Sequence, residues 1–158
     1  MARSVPVTHL DEPAPAPPTP YRTVVADGLP DLDQRLSDEL DAVNAAATEG
    51  VAGSRELTVQ ILDDAGDLAA GMSGWTWGVA AGIGMTWVRE EARGQGLGQR
   101  LLSSFEDEAR GRGCAHVFVT SFTFQAPGFY ERHGYREIGR WVGLPTAHSA
   151  DVHFRKDL

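Results

Sequence analysis

The sequence predicts an α/β (α+β) domain built on a mixed sheet, and three observations carry that prediction. A hairpin pattern, Leu57–Leu62 and Leu68–Gly78, opens the ordered part of the chain. A strand, a glycine turn, an amphipathic helix and a second strand follow over residues 80–121. A short helix and a closing hairpin pattern complete it. A strand–helix–strand crossover of this length implies parallel, right-handed neighbours, whereas hairpins are antiparallel, so the sheet is mixed.

Met1–Pro20 holds six of the nine prolines, a composition that favours extended, solvated backbone and reads as a disordered tail, with partner docking a minor alternative. One domain is expected over residues 21–158. Tyr21–Val25 reads as a first edge strand ending near Gly28. Asp31–Thr48 reads as a helix, because Leu32, Leu36, Leu40, Val43 and Ala47 share a face and Gly50 and Gly53 follow. That face is expected to pack, with Asn44–Gly53 near an acceptor site. Leu57–Leu62 alternates up to the turn Asp63-Asp64-Ala65-Gly66-Asp67, and Leu68–Gly78 returns. Trp75 and Trp77 lie two apart and share a strand face, as core residues or as a substrate platform. Ala80–Val88 is a third strand, and Gly82 and Gly84 inside it mark a bulge or a close approach.

From Leu97 the period becomes helical: Leu97, Leu101, Phe105 and Ala109 line one face, Leu102 borders it, and Gly111 and Gly113 close the helix. Ala115–Ser121 is a buried-type strand rich in β-branched and aromatic residues. Pro127 suits the first turn of a short helix ending at His133, and Gly134 suits its C-cap. Tyr135–Val142 and Ala150–Arg155 are the last strands.

Composition narrows the function. A chain of 158 residues suits one self-sufficient core. A net charge of −8 argues against nucleic acid as the main partner and is compatible with cationic small molecules. The single Cys114 excludes an intramolecular disulfide and a cysteine metal cluster. No metal site is expected. No run approaches ~20 apolar residues and no apolar signal core opens the chain, so a cytoplasmic protein without a membrane partner is expected.

Chemistry concentrates at residues 87–102, WVREEARGQGLGQRLL. The turn Arg93-Gly94-Gln95-Gly96-Leu97-Gly98 alternates glycines between a strand and a helix, which exposes backbone N–H groups at the positive end of a helix dipole. A P-loop would need Gly-Lys-Ser/Thr, and Gly98-Gln99-Arg100 lacks both the lysine and the hydroxyl. A dinucleotide fingerprint would need a third glycine where Gln99 stands. About thirty residues later comes Gln125-Ala126-Pro127-Gly128-Phe129-Tyr130-Glu131-Arg132-His133-Gly134-Tyr135.

Together, in this order and spacing, the two segments resemble the coenzyme A-binding motifs of the GCN5-related N-acetyltransferases, the GNAT superfamily. The resemblance covers roughly residues 57–158 and is looser before them. It implies a central sheet of about six to seven strands, splayed in the middle and flanked by three to four helices. It implies acetyl-CoA as acyl donor, a small-molecule amine as acceptor, and leaves a homodimer open. Trp87 and Val88 would pair with the pantetheine arm. Arg93, Gly94, Gln95, Gly96, Leu97, Gly98 and Gln99 would hold the pyrophosphate. Arg132 would approach the nucleotide phosphates, or is an exposed helical arginine.

Tyr130 matches the tyrosine that protonates the departing thiolate, a role that suits a phenol of pKa ~10 facing a thiol of ~8.5. Direct attack by an amine, with a main-chain N–H stabilising the oxyanion, would follow. An acyl-cysteine at Cys114 is not expected, because it starts a strand away from both motifs. Thr123 stands where relatives often carry Asn for a cofactor hydrogen bond. Residues 82–86 (Gly-Ile-Gly-Met-Thr) lack the carboxylate that many members use as base. An alkylamine of pKa ~10.4 pays roughly 4.6 kcal/mol to be neutral at pH 7, so a base is needed from elsewhere or the acceptor's pKa is lowered. Glu90, Glu91 and His148 are the candidates, each also readable as a surface residue. The two strand glycines would alternatively make room for a bulky acceptor. The leading reading is N-acetylation of an amino-sugar antibiotic, polyamine or amino-acid derivative. The alternatives are acetylation of a protein lysine or N-terminus, or a non-catalytic acyl-CoA-binding regulatory module.

Overall fold

A computed structural model describes residues 21–158, and the proline-rich segment 1–20 lies outside the described residues. Helix α1 (Leu32–Ala47) precedes the hairpin β1 (Arg55–Leu62) and β2 (Leu68–Trp77), and β3 (Ala80–Val88) follows. A 3-10 turn at Glu90–Ala92 leads to α2 (Leu97–Gly111) and β4 (His116–Phe122). Helix α3 (Pro127–Arg132), β5 (Arg136–Val142) and β6 (Ala150–Asp157) complete the described chain. The six strands form one sheet in the order β1-β2-β3-β4-β6-β5, with β3 and β4 its one parallel pair.

The sheet's period-2 pattern decides which face is buried. Leu57, Ala70, Met72, Ala81, Val117, Val119, Val152 and Phe154 point to one side, where Leu101, Leu102, Phe105 and Ala109 of α2 meet them. This is the helix stripe the sequence spaces at 3.6 residues, and Phe105 and Leu101 are fully enclosed. Glu106 shares the stripe, buried to 5% exposure. It is tolerated because Lys156 of β6 reaches it at 2.7 and 2.9 Å.

Three expectations change. Residues 21–30 form no strand and are exposed throughout. Five residues gaining no buried apolar face cannot offset the entropy of ordering them on a sheet edge. Helix α1 forms, but none of its residues is buried, with Leu36, Leu40 and Val43 at least half exposed. The segments on either side of it are irregular and exposed, so nothing fixes its apolar face against the sheet. The third change concerns the strand glycines. A Cβ at Gly82 would collide with the Trp75 ring, so Trp75 fills the space suggested for a bulky acceptor. Gly84 sits at the bulge between β2 and β3, where the register jumps beyond Ser73–Met85 to Gly74–Ile83.

Candidate active site

The site exists because β3 and β4 run together only briefly. Their parallel ladder pairs Ala80–Ile83 with His116–Val119 and then stops, although β3 continues to Val88 and β4 to Phe122. Beyond the ladder the strands diverge around a cleft of ≈ 680 Å³ lined by residues 83–88 on one side and 119–121 on the other. The β4-facing backbone of Gly84–Val88 has lost its strand partner there, as an extended ligand arm would require. Arg89 pins the end of β3. Its guanidinium donates to Asp63 Oδ2 and to the Leu68 carbonyl, each at 2.7 Å, and holds the Asp63 carboxyl below the usual carboxylate range.

The glycine turn then delivers α2 to the mouth of the cleft. Gly94 and Gly96 take φ of +76° and +79°, conformations open to glycine. Gly96 offers no side-chain cap, and the first helical bond runs from the Arg100 amide to the Gly96 carbonyl. The amides from Gly94 to Gln99 therefore have no backbone acceptor and remain as anion donors. The cleft thus offers main-chain groups without a strand or helix partner at its wall and at its mouth, although Arg93 Nε bonds the Val88 carbonyl at 3.2 Å.

Tyr130 enters from α3. Its hydroxyl donates to Thr86 Oγ1 at 3.2 Å, bridging α3 to the far half of β3. Phe129, Tyr135 and Phe154 surround the ring, and burial pushes the phenol above its ordinary range. It is therefore protonated at neutral pH.

Of the sequence-derived residues, Trp87, Val88, Arg93, Gly98 and Tyr130 line this cleft together. Gln95, Gly96 and Gln99 line a shallower concavity with Arg100 on the adjoining surface of α2. Gly94 lies between the two, and Leu97 packs against the core. Thr123 is engaged elsewhere, its N–H donating to the Ala150 carbonyl and its Oγ1 accepting the Ala150 N–H. Arg132 is exposed and lines neither concavity. Glu90, Glu91 and His148 are exposed and off the cleft, with Glu91 drawn to Arg89 at 3.7 Å. None of Asn44–Gly53 lines it, and Val51 instead approaches Gly78 at the opposite end of β3. Cys114 is buried against the Ala80 carbonyl, and burial pushes its thiol up.

Sequence reasoning passed over Thr86 as the partner of Tyr130 and Phe124 as lining, and it quoted Gln125 and Phe129 in the second motif without giving either a role. It also did not single out Asp151 and His153, which lie outside the cleft lining, opposite Phe122 and Thr120 of β4. Their alternation with Val152 and Phe154 was the available signal, since it puts both on the sheet face away from α2.

The comparisons agree with this geometry. The model of the acetyltransferase (GNAT) family matches residues 25–135. The chain is 37% identical over 115 residues to the blasticidin-S acetyltransferase of Streptomyces morookaense, covering 68% of this chain and 82% of that one. Among solved structures, an acetyltransferase from Bacillus cereus superposes with a TM-score of 0.75 at 27% identity, covering 86% of this chain and 98% of the other. A protein from Agrobacterium tumefaciens gives 0.78 at 28%, covering 87% and 100%. The fold is also that of an aminoglycoside 6'-N-acetyltransferase crystallised with coenzyme A, with a TM-score of 0.59 at 18% identity, covering 85% and 95%. By its splayed β3–β4 cleft, its glycine turn and its sequence, the chain belongs to the GNAT family of acetyltransferases.

Proposed function

We infer that the chain is an acetyl-CoA-dependent N-acetyltransferase whose acceptor is a primary amine of a small molecule, in the class of antibiotic amines. What carries this reading is the Tyr130 phenol standing protonated in a cleft whose two ends offer unpaired main-chain groups. Support for the acceptor class comes from the similarity to blasticidin-S acetyltransferase. The net charge of −8 favours cationic partners. Among the described residues no helix is long and apolar enough to cross a membrane.

The donor supplies an activated acyl carbonyl on a thiol leaving group. The Gly94–Gln99 amides bind its diphosphate, with Arg93 fixed beside them by a bond from Nε to the Val88 carbonyl at 3.2 Å. The unpaired edge of β3 aligns the arm, and one of its N–H groups meets the negative charge that develops on the carbonyl oxygen. Tyr130 donates its proton to the sulfur as the C–S bond breaks, and Thr86 holds the phenol on line for that transfer.

Thiol release from acetyl-CoA, followed across a panel of small primary amines and lysine peptides, tests the reading. Turnover confined to small amines supports it. Turnover with peptides alone would favour a protein acetyltransferase. Coenzyme A binding without turnover on any acceptor would favour a regulatory module, a reading that the absence of Asp and Glu from the cleft lining also supports.

A further inference from the structure

We propose that Asp151 and His153 form the acceptor's ammonium site on the sheet face away from α2, with His153 taking the proton that the amine must lose. The proposal rests on the N-acetyltransferase reading above and supplies the base that reading lacks.

Neither residue lines the cleft itself, but register puts the pair next to its wall. His153 is opposite Thr120 of β4, and Thr120 lines the cleft where β3 and β4 part. Val152 and Phe154, on either side of His153, are buried toward α2, so His153 and Asp151 face the other way. Gly139 of β5, opposite His153 on its other side, brings no side chain into the space.

The pair is also chemically incomplete. His153 Nε2 lies 3.4 Å from Asp151 Oδ2. Among the described residues, neither His153 Nε2 nor Asp151 Oδ1 has a hydrogen-bond partner, although both atoms are buried. Nε2 faces the carboxylate at 3.4 Å, so the atom left for a ligand or water to complete is Asp151 Oδ1. The carboxylate beside Nε2 favours the tautomer protonated there, leaving Nδ1 as the lone-pair acceptor, as in other oriented imidazole bases. The surroundings suit a cation. The Trp141 ring is 5.1 Å from the imidazole, and Phe122, opposite Asp151 on β4, stacks at 5.2 Å on Phe124 of the cleft wall.

Other charges near His153 are already committed. On β6, Arg155 bonds Asp157 and the His116 ring, and His116 of β4 bonds Asp157 at 2.8 Å. On β5, Arg140 and Glu137 pair with each other at 2.6 Å, and Arg136 reaches Asp157 at 3.1 Å. Of these described residues, Asp151 is the one left to face the incoming ammonium.

The proton balance closes. One ammonium proton passes to His153 Nδ1 and then to water. The freed nitrogen lone pair forms the C–N bond at the thioester carbonyl, and the C–S bond breaks with the Tyr130 proton going to sulfur. A second proton leaves the new amide nitrogen and returns through solvent to Tyr130. One proton is released per turnover. His153 is thus a catalytic residue and Asp151 a positioning residue.

The test compares wild type, His153→Gln and Asp151→Asn from pH 6 to 10, using kcat/KM for an alkylamine alongside coenzyme A affinity. At pH 7 His153→Gln should lose roughly thirtyfold or more and Asp151→Asn about tenfold, with coenzyme A affinity unchanged. The deficit should shrink to under about threefold near the amine's own pKa, and vanish for an amine that is already neutral at pH 7. A purely structural role would reduce all amines equally at every pH, and that result overturns the proposal. Should His153→Gln fail to fold, Asp151→Asn with an unaltered pH profile overturns it equally. A wild type that turns over while His153→Gln matches it at pH 7 refutes this proposal alone. A wild type inactive with every amine refutes the acetyltransferase reading as well.

Discussion

Replacing Tyr130 by Phe isolates the proton donor from everything else the ring does. The ring packs edge-on against Phe129 and Tyr135 and is 5% exposed, and Phe keeps all of that packing. What is lost is one hydroxyl and its 3.2 Å bond to Thr86, worth about 1 kcal/mol of stability and a few degrees of melting temperature. The catalytic loss is larger. A thiol of pKa ~8.5 that must depart as the anion at pH 7 forgoes ~1.5 pKa units of protonation, about 2 kcal/mol or roughly thirtyfold in rate. General-acid contributions of 10²–10⁴ make about thirtyfold the floor rather than the ceiling. Thiol release under saturating acetyl-CoA and amine should therefore fall at least about thirtyfold in kcat, with the coenzyme A dissociation constant within about twofold of wild type. A folded variant with undiminished kcat would remove Tyr130 from the mechanism and with it the reading of the cleft as a thioester site.

Further expectations concern the phosphate turn, the core and alkaline pH. Gly98→Val would drive a branched side chain toward Phe129, already 3.2 Å from a Cβ placed there, and crowd the free amides. Calorimetry should show coenzyme A affinity falling about tenfold or more, with the melting temperature little changed. Lys156→Met would leave buried Glu106 with only Arg110 at 3.6 Å, costing about 3 kcal/mol and lowering the melting temperature by about 8 °C. A melting temperature within a degree of wild type would refute that. Burial raises the Tyr130 phenol, and burial plus the nearby Glu106 raises Tyr135 further. Because the folded values exceed the unfolded value near 10, stability should be flat in this respect below about pH 10. Above it, stability should fall as pH rises, because the unfolded phenols ionise before the folded ones. Urea unfolding of the Tyr130→Phe, Tyr135→Phe double variant at pH 9 and 11 should show that loss abolished.

What the sequence made legible is local. The glycine turn and the α2 stripe are written in consecutive residues, so both could be read directly. Tyr130 was legible through its spacing from the turn. What escaped depends on register between distant strands. Thr86 meets Tyr130 across 44 residues, and His153 comes opposite the cleft-lining Thr120 only because β6 inserts between β4 and β5. Glu90, Glu91 and His148 looked suitable as bases by residue type, yet exposure leaves all three outside the cleft. The strand glycines were rightly read as a bulge and a close approach, but the approaching group at Gly82 is the protein's own Trp75. Amphipathicity made α1 a helix, but a stripe of five aliphatic side chains does not dictate where the helix docks.

The central claim is that unpaired main-chain donors at the β3–α2 junction clasp the diphosphate of a thioester carrier, and titration calorimetry with coenzyme A tests it most directly. Saturable one-to-one heat is predicted, with a dissociation constant well below about 1 mM, that is, binding stronger than about −4 kcal/mol. The same titration with dephosphorylated pantetheine should bind far more weakly. Folded protein that shows neither heat nor saturation with coenzyme A at millimolar concentration would contradict it.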